Sequence, residues 1–319
     1  MGINNEYLED FKLDANDHGE PHWFIDRRIE VLKQLDSLDL AKSQYFNEFD
    51  DLVKITSPQR IRSKKDLIDA KNINDYTMTQ FGQTTVKNGL PEELEEQGVI
   101  LTDIFTALRI HPRLIQTSFM DKVISPDEDK MTAFHLACVN SGVFLYIPKG
   151  VKISQPISIN LIQDDTRPTD LNTHVLVVAE GDAEVSIEQN LSNYGKNNNR
   201  TNFFVEVLAR ANAKVNYSLN SESSSNFIYT KTRAYLGRDS SVNWNFNLNN
   251  HGNTWADLSN NLYGSGSRVK TVLNSQTNDK QIEEITTATI KHGKNVASEL
   301  ENNLISKDNS VLTLNGQKS

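Results

Sequence analysis

Along the second half of the chain, apolar and polar residues alternate in short segments that restart at a nearly constant interval. Val215, Val242, Val269 and Val296 stand 27 residues apart, and each opens an alternating run after a short turn. The runs read ANAKVNYSL from Ala211, GRDSSVNWNFNL from Gly237, GSGSRVKTVL from Gly264 and GKNVASEL from Gly293, with looser copies at Gly181 (GDAEVSI) and Lys307 (KDNSVLTL). In the run from Gly237, Val242, Trp244, Phe246 and Leu248 fall on one face and Asn243, Asn245 and Asn247 on the other. That period of two belongs to a strand with one buried face.

Each copy carries an upstream strand-like run: Phe203 to Leu208, Tyr229 to Leu236, Leu258 to Tyr263 and Ile282 to Ile290. Two such strands and two turns fill a 27-residue step, which predicts one coil of a parallel β-helix. A single coil cannot bury its own face, whereas coils stacked about 4.8 Å apart share a continuous core. The turns carry Gly, Asp, Asn and Ser, which tolerate left-handed backbone or bond to their own main chain.

The first half reads differently. Residues 1–90 are predicted as a helical region and connector, and 91–319 as the β-helix, with a leading helix near 102–111. Pro21 can open a helix in which Ile25, Ile29, Leu32 and Leu35 recur at helical spacing. Ser57 to Gly89 is polar and weakly patterned, the mark of a connector, with a short helix predicted near Lys65 to Asn72. Thr102 is a plausible cap for Ile104, Phe105 and Leu108, and His111–Pro112 ends that helix. From Phe134 onward the pattern predicts strands.

Composition narrows the function. With 37% hydrophobic residues and no apolar run near the roughly 18 residues of a membrane span, no membrane contact is predicted. The acidic start, MGINNEYLED, is no signal peptide, and a single cysteine excludes an internal disulfide framework, so the cytoplasm is the expected location. A net charge of −9 disfavours a nucleic-acid partner. The short run Arg60, Arg62, Lys64, Lys65 reads as a solvated face.

Candidate chemistry is sparse. Cys138 lies in the apolar run FHLACV and reads as core; His135, three residues earlier on the predicted strand, would face the other way, so the two would not converge on a metal. His292 beside Gly293 reads as a turn residue and His111 as a helix end, while His18, His22, His174 and His251 sit in polar, turn-like contexts. The stretch Gly264 to Ser267 lacks the lysine and following helix of a phosphate loop. Asp182, Asp239 and Asp308 recur before the repeat valines as turn caps, and Glu283 and Glu284 should point to opposite faces. No catalytic, cofactor-binding or metal-ligating residue is assigned.

The segments GVILTDIFTALRIHPRLIQ (Gly98 to Gln116) and MTAFHLACVNSGVFLYIPKGVKISQPISI (Met131 to Ile159) resemble the SufB/SufD family, scaffold components of the SUF iron-sulfur cluster assembly machine. Glu20 to Leu40 (EPHWFIDRRIEVLKQLDSLDL) looks like the SufD branch, and Ile290 to Gly316 is similar to the family's closing coils. The resemblance implies a right-handed parallel β-helix flanked by helices, a SufB-like paralogue and a SufC-type ATPase as partners, and no enzymatic turnover. It implies a cluster, and ATP on the ATPase subunit, for the assembled complex, with no cofactor bound by this chain alone. The family's cluster-site histidine and its C-terminal, ATPase-contacting helical segment would lie past Ser319, so a C-terminally short form is expected. The last coils, with Leu300, Leu304, Val311 and Leu314, are the expected partner-binding edge, open to a SufB-like chain or to a second copy. The competing expectation, a β-helix enzyme acting on acidic polysaccharide, would need clustered Asp, Lys and Arg and a secretion signal, neither of which is read here.

Overall fold

The alternating segments fold as strands stacked into two eight-stranded sheets, described in a computed structural model for residues 3–53, 63–64, 75–196 and 199–318. The first sheet holds β1 (Thr77–Phe81), β2 (Thr84–Gly89), β5 (Ile157–Asp165), β7 (Glu184–Gly195), β9 (Lys214–Ser221), β11 (Ser241–Leu248), β13 (Arg268–Thr277) and β15 (Ala297–Ser306). The second holds β3 (Ile100–Asp103), β4 (Ser141–Ile147), β6 (Leu171–Ala179), β8 (Thr201–Ala209), β10 (Phe227–Leu236), β12 (Asn253–Leu262), β14 (Ile282–Lys291) and β16 (Val311–Lys318). From β5 onward the chain alternates between sheets and every neighbour is parallel, giving a β-solenoid of about 6 turns. The antiparallel strands β2 and β3 close its first edge.

Register explains why the repeat was visible. Val215, Val242 and Val269 stand side by side on β9, β11 and β13, and all are buried. Val269 then faces Ser298, not Val296, because the last step is two residues longer. Val296 precedes β15 and packs only partly against the core. Outside the first sheet an asparagine ladder runs coil to coil: Asn190 donates to Asn160, Asn220 to Asn190, Asn247 to Asn220 and Asn274 to Asn247, at 2.8–3.0 Å. Each amide satisfies the next, so this solvent face is held in register without apolar burial.

The turns behave as their residues require. Asp182, Asp239 and Asp308 adopt φ of 62°, 55° and 56°, the left-handed region that Asp tolerates. Gly264 is demanded by close approach: a Cβ there would lie 2.0 Å from the backbone nitrogen of Arg238 on the coil below. Gly264→Ala is expected to cost about 1–3 kcal/mol or more, the range of overpacking, read as a lower denaturant midpoint with unchanged slope.

The helices are α1 (Asn5–Asp17), α2 (His22–Gln34), α3 (Phe49–Leu52), α4 (Glu92–Glu96), α5 (Ile104–Ile110), α6 (Pro112–Ile115) and α7 (Lys130–Cys138). Pro21 precedes α2, in which Ile25 and Leu32 are buried and Ile29 is half-buried, and the buried Leu35 opens the short 3-10 turn that follows. A second core forms between these helices and the outer face of the second sheet, where Phe204, Phe227, Tyr229 and Trp255 meet Phe24, Phe46, Phe119 and Phe134. The lumen between the sheets is the first core.

Three sequence expectations are corrected. The stretch from Phe134 does not begin as a strand: Asp129 and Thr132 form a capping box and 130–138 is helical, with strands starting at Ser141. The helix at Ile104 is capped by Asp103, which accepts from the Thr106 amide at 2.9 Å, while Thr102 lies in β3. The connector's second half supplies β1 and β2, the first rung of one sheet. The helix expected near Lys65 to Asn72 lies outside the described residues.

Candidate partner-binding rung and a buried histidine cluster

Strands β15 and β16 end the two sheets, and each pairs on one side only among the described strands. Leu300 and Ile305 are 44% and 41% exposed, high for large apolar side chains. Leu300 stands opposite Thr271 and Leu304 opposite Ser275, on the lumen side of β15; Leu314 stands opposite Ile285 on β14, and both Leu304 and Leu314 pack partly on the lumen core. Val311 stands opposite Ile282, which packs on the helical side, so it lies on the other face of β16. The structure thus brings three of the four residues to one rim. Beside them a cavity of about 430 Å³ opens, lined by Leu258, Thr271, Thr287, Ser298, Leu300 and Gly316.

The adjacent glutamates part as their spacing requires. Glu283 points into the lumen, accepts from Ser275 Oγ and is pushed up to about 7 by burial. Glu284 points outward and accepts from the amides of Gln44 and Tyr45 at 3.0 and 3.3 Å and from the Ser43 hydroxyl. An N-terminal strap is thereby tied to β14.

The cluster that sequence reasoning missed lies between α7 and the second sheet. His135 on α7 and His174 on β6 are fully buried, with His135 Nε2 3.1 Å from His174 Nδ1. His135 Nδ1 lies 3.0 Å from Asn202 Oδ1, and its ring stacks on Phe204 with centroids 3.7 Å apart. His174 Nε2 is 3.0 Å from Glu206 Oε2, but off the line of a good hydrogen bond, so it has no aligned partner among the described residues. Glu206 accepts from the Met120 and Ile124 amides at 2.7 and 2.9 Å, and Arg27 donates to the carbonyls of Phe119 (2.8 Å) and Met120.

Burial sets the protons. Desolvation lifts Glu206 to about 8 despite the two amides, lowers His174 to about 3 and drives His135 well below the usual imidazole range. With Asn202 Oδ1 accepting from His135, the His135 Nε2 lone pair accepts from His174 Nδ1–H, and the His174 Nε2 lone pair faces a protonated Glu206. The cluster is therefore neutral near pH 7. His135 and Cys138 lie on a helix rather than on opposite faces of a strand, and His174 is part of a constellation, contrary to its turn-like reading. Nothing local signals it: 39 and 67 residues separate His135 from His174 and Asn202.

The remaining residues fall into structural places. Cys138 packs on the helical-side core, and burial lifts its thiol to about 12. His292 stacks on Tyr263 with centroids 4.1 Å apart, and His111 ends α5. Buried Lys231 meets Asp129, Glu128 and Asp257 at 2.8, 3.0 and 3.5 Å; burial opposes its charge, but the three carboxylates outweigh it and raise its pKa. Among the described residues no three His, Cys, Asp or Glu side chains converge as a metal site, and no helix is long and apolar enough to cross a membrane.

Two family models cover this architecture: the SufBD protein N-terminal region over residues 6–159 and the SUF system FeS cluster assembly SufBD core domain over 161–318. The chain belongs to the SufBD family. It is 33% identical to the iron-sulfur cluster assembly protein SufD of Bacillus subtilis, over 99% of this chain and 75% of that protein. Against a SufBD family protein of Synechocystis sp. the identity is 27% over 98% of this chain and 68% of the relative. SufB of Bacillus subtilis matches at 25% over 49% of this chain and 37% of its own length, so the likeness to SufD runs further. Membership of the SufBD family places the chain in iron-sulfur cluster assembly.

Proposed function

We propose that this chain is a non-enzymatic, cytoplasmic scaffold subunit of a SUF iron-sulfur cluster assembly complex, joined to a SufB-like paralogue and a SufC-type ATPase. The observation that carries the reading is the last rung: parallel strands with one edge free among the described residues, exposed apolar Leu300 and Ile305, and a lumen-side cavity beside them. Such an edge takes an added strand through main-chain bonds and a side chain through the cavity. The iron-sulfur cluster is cargo of the assembled complex, and ATP belongs to the ATPase subunit.

The test uses the full natural chain, with any residues that follow Ser319 present to compete for the edge. Co-expressed with SufB-like and SufC-type proteins of the same organism, it is expected to co-purify with both. Leu300→Asp combined with Ile305→Asp should weaken the SufB-like contact at least tenfold while the isolated chain keeps its unfolding midpoint. Retention of all three proteins by the double variant would move the contact elsewhere, and failure of the parent to assemble would remove the reading. Sedimentation of the chain alone reports whether a second copy takes the same edge.

A further inference from the structure

The buried chain that runs from Glu206 through His174 and His135 to Asn202 has two possible donor directions, and they differ by one proton. Each link is close: Glu206 Oε2 to His174 Nε2 at 3.0 Å, His174 Nδ1 to His135 Nε2 at 3.1 Å and His135 Nδ1 to Asn202 Oδ1 at 3.0 Å. The rings are packed in place. His135 lies flat on Phe204 at an interplanar angle of 4°, and His174 meets Phe119 edge-on with centroids 4.5 Å apart. A change of charge is therefore answered by moving protons, since a neutral imidazole that gains one at one nitrogen can give up the other.

In the neutral arrangement a proton on Glu206 Oε2 faces the His174 Nε2 lone pair, His174 Nδ1–H donates to His135 Nε2, and His135 Nδ1–H donates to Asn202 Oδ1. Loss of the Glu206 proton alone would leave a carboxylate oxygen and an imidazole lone pair 3.0 Å apart with nothing between them, among side chains at most 3% exposed. The far end of the chain offers the remedy. Asn202 Nδ2 is buried with no partner among the described residues, so a free donor stands on the amide beside His135 Nδ1. The Glu206–His174 contact is off line in either direction, so it favours neither.

We propose that these four side chains form a reversible proton relay: the Glu206 proton passes to His174 Nε2, the His174 Nδ1 proton passes to His135 Nε2, the His135 Nδ1 proton leaves to water, and the Asn202 amide turns over to donate Nδ2–H in its place. Three bonds to hydrogen break and three form, the last of them on solvent, and the negative charge ends on Glu206. There the carboxylate has His174 Nε2–H beside it and the amides of Met120 and Ile124 at 2.7 and 2.9 Å. Arg27 of α2, with Glu30 and Asp121 near it, and Arg233 of β10 are the charged groups that bear on this site. Both guanidiniums favour the ionised carboxyl, but burial outweighs them and lifts Glu206 to about 8. Met120 is held at φ +45°, a strained value for a side chain, and charge-assisted bonds hold such a turn harder than neutral ones. Asp121, Lys122 and Val123, next in the chain, line an open cavity of about 730 Å³ on the outer face of the second sheet, so the relay sets how firmly one wall of that cavity is held.

The test is ¹⁵N NMR of the full chain labelled at its seven histidines, followed from about pH 6 to 9.5 together with the ¹³C signals of labelled glutamate carboxyls. Two histidines are expected to be neutral Nδ1–H tautomers at the acid end and to become Nε2–H tautomers together, at the midpoint of one glutamate carbon. Glu206→Gln should fix both rings in a single form at every pH. A parent chain in which neither ring changes tautomer, one changes without the other, or no glutamate carbon shares the midpoint overturns the proposal, whether or not the variant folds. A joint change that survives in a folded Glu206→Gln chain also overturns it, because the proton then comes from elsewhere.

Discussion

Unfolding free energy measured against pH is expected to rise between about pH 3 and 4.5, run nearly level to about 6.5, and fall between 6.5 and 8. Four buried groups set that shape. His135 and His174 hold folded pKa values below the 6.5 of free imidazole, His174 at about 3, so the unfolded chain binds more protons and stability is lost as pH falls below 6.5. Glu206 and Glu283 are raised from 4.5 to about 8 and about 7, so the folded chain holds the extra protons and stability is lost as pH climbs from 4.5 through those values. Each group changes the free energy by about 1.4 kcal/mol per pH unit within its window. Between 4.5 and 6.5 the two pairs oppose each other; outside that range one pair acts alone. Glu206→Gln should abolish the decline between pH 7 and 8 and leave the acid limb in place. A decline that persists in that variant would show that Glu206 is already ionised in the folded chain.

Replacing Arg28 with methionine is expected to destabilise the chain by about 3–5 kcal/mol, because it leaves a buried carboxylate without its counter-charge. Arg28 Nη1 lies 2.6 and 2.7 Å from the two oxygens of Glu20, Nε donates to the Ala137 carbonyl at 2.8 Å, and the guanidinium sits 4.5 Å over the Phe11 ring. One side chain thus joins α1, α2 and the end of α7, and burial lowers its pKa to about 10. Adding Glu20→Leu to Arg28→Met should recover most of the loss, since removing both charges removes the desolvation penalty. Chemical denaturation of the two variants checks this; a double variant no better than the single would assign the loss to packing.

The coils were legible because their physics is local. Alternation, turn residues and repeated valines each lie within a few positions, and stacking reproduces them from rung to rung. The helix from Lys130 to Cys138 was not, because it is buried nearly all round and shows no polar face to set a period. The first hairpin hid for the opposite reason: Thr77, Thr79 and Gln80 are buried yet polar, so no apolar alternation marks the strand. Leu300, Leu304, Val311 and Leu314 read together as one edge because they sit in the last coils, but only the register puts the three leucines on one rim, and the parity of Val311 puts it across its strand. The histidine cluster is non-local: His174 sits next to polar residues in sequence and next to Phe119, His135 and Glu206 in space.

The strap fastened to Glu284 has a consequence for how this molecule can change in length. Whole coils could otherwise be inserted or deleted, since each rung meets its neighbours in the same way and the asparagine row continues through steps of unequal length. Residues 43–45, however, reach from the helices beside the earliest strands to the penultimate strand of the second sheet. One more rung would carry Glu284 away by about 4.8 Å, further than a hydrogen bond can stretch. The segment acts as a ruler laid along the stack, and the number of coils is fixed by the length of chain that spans them.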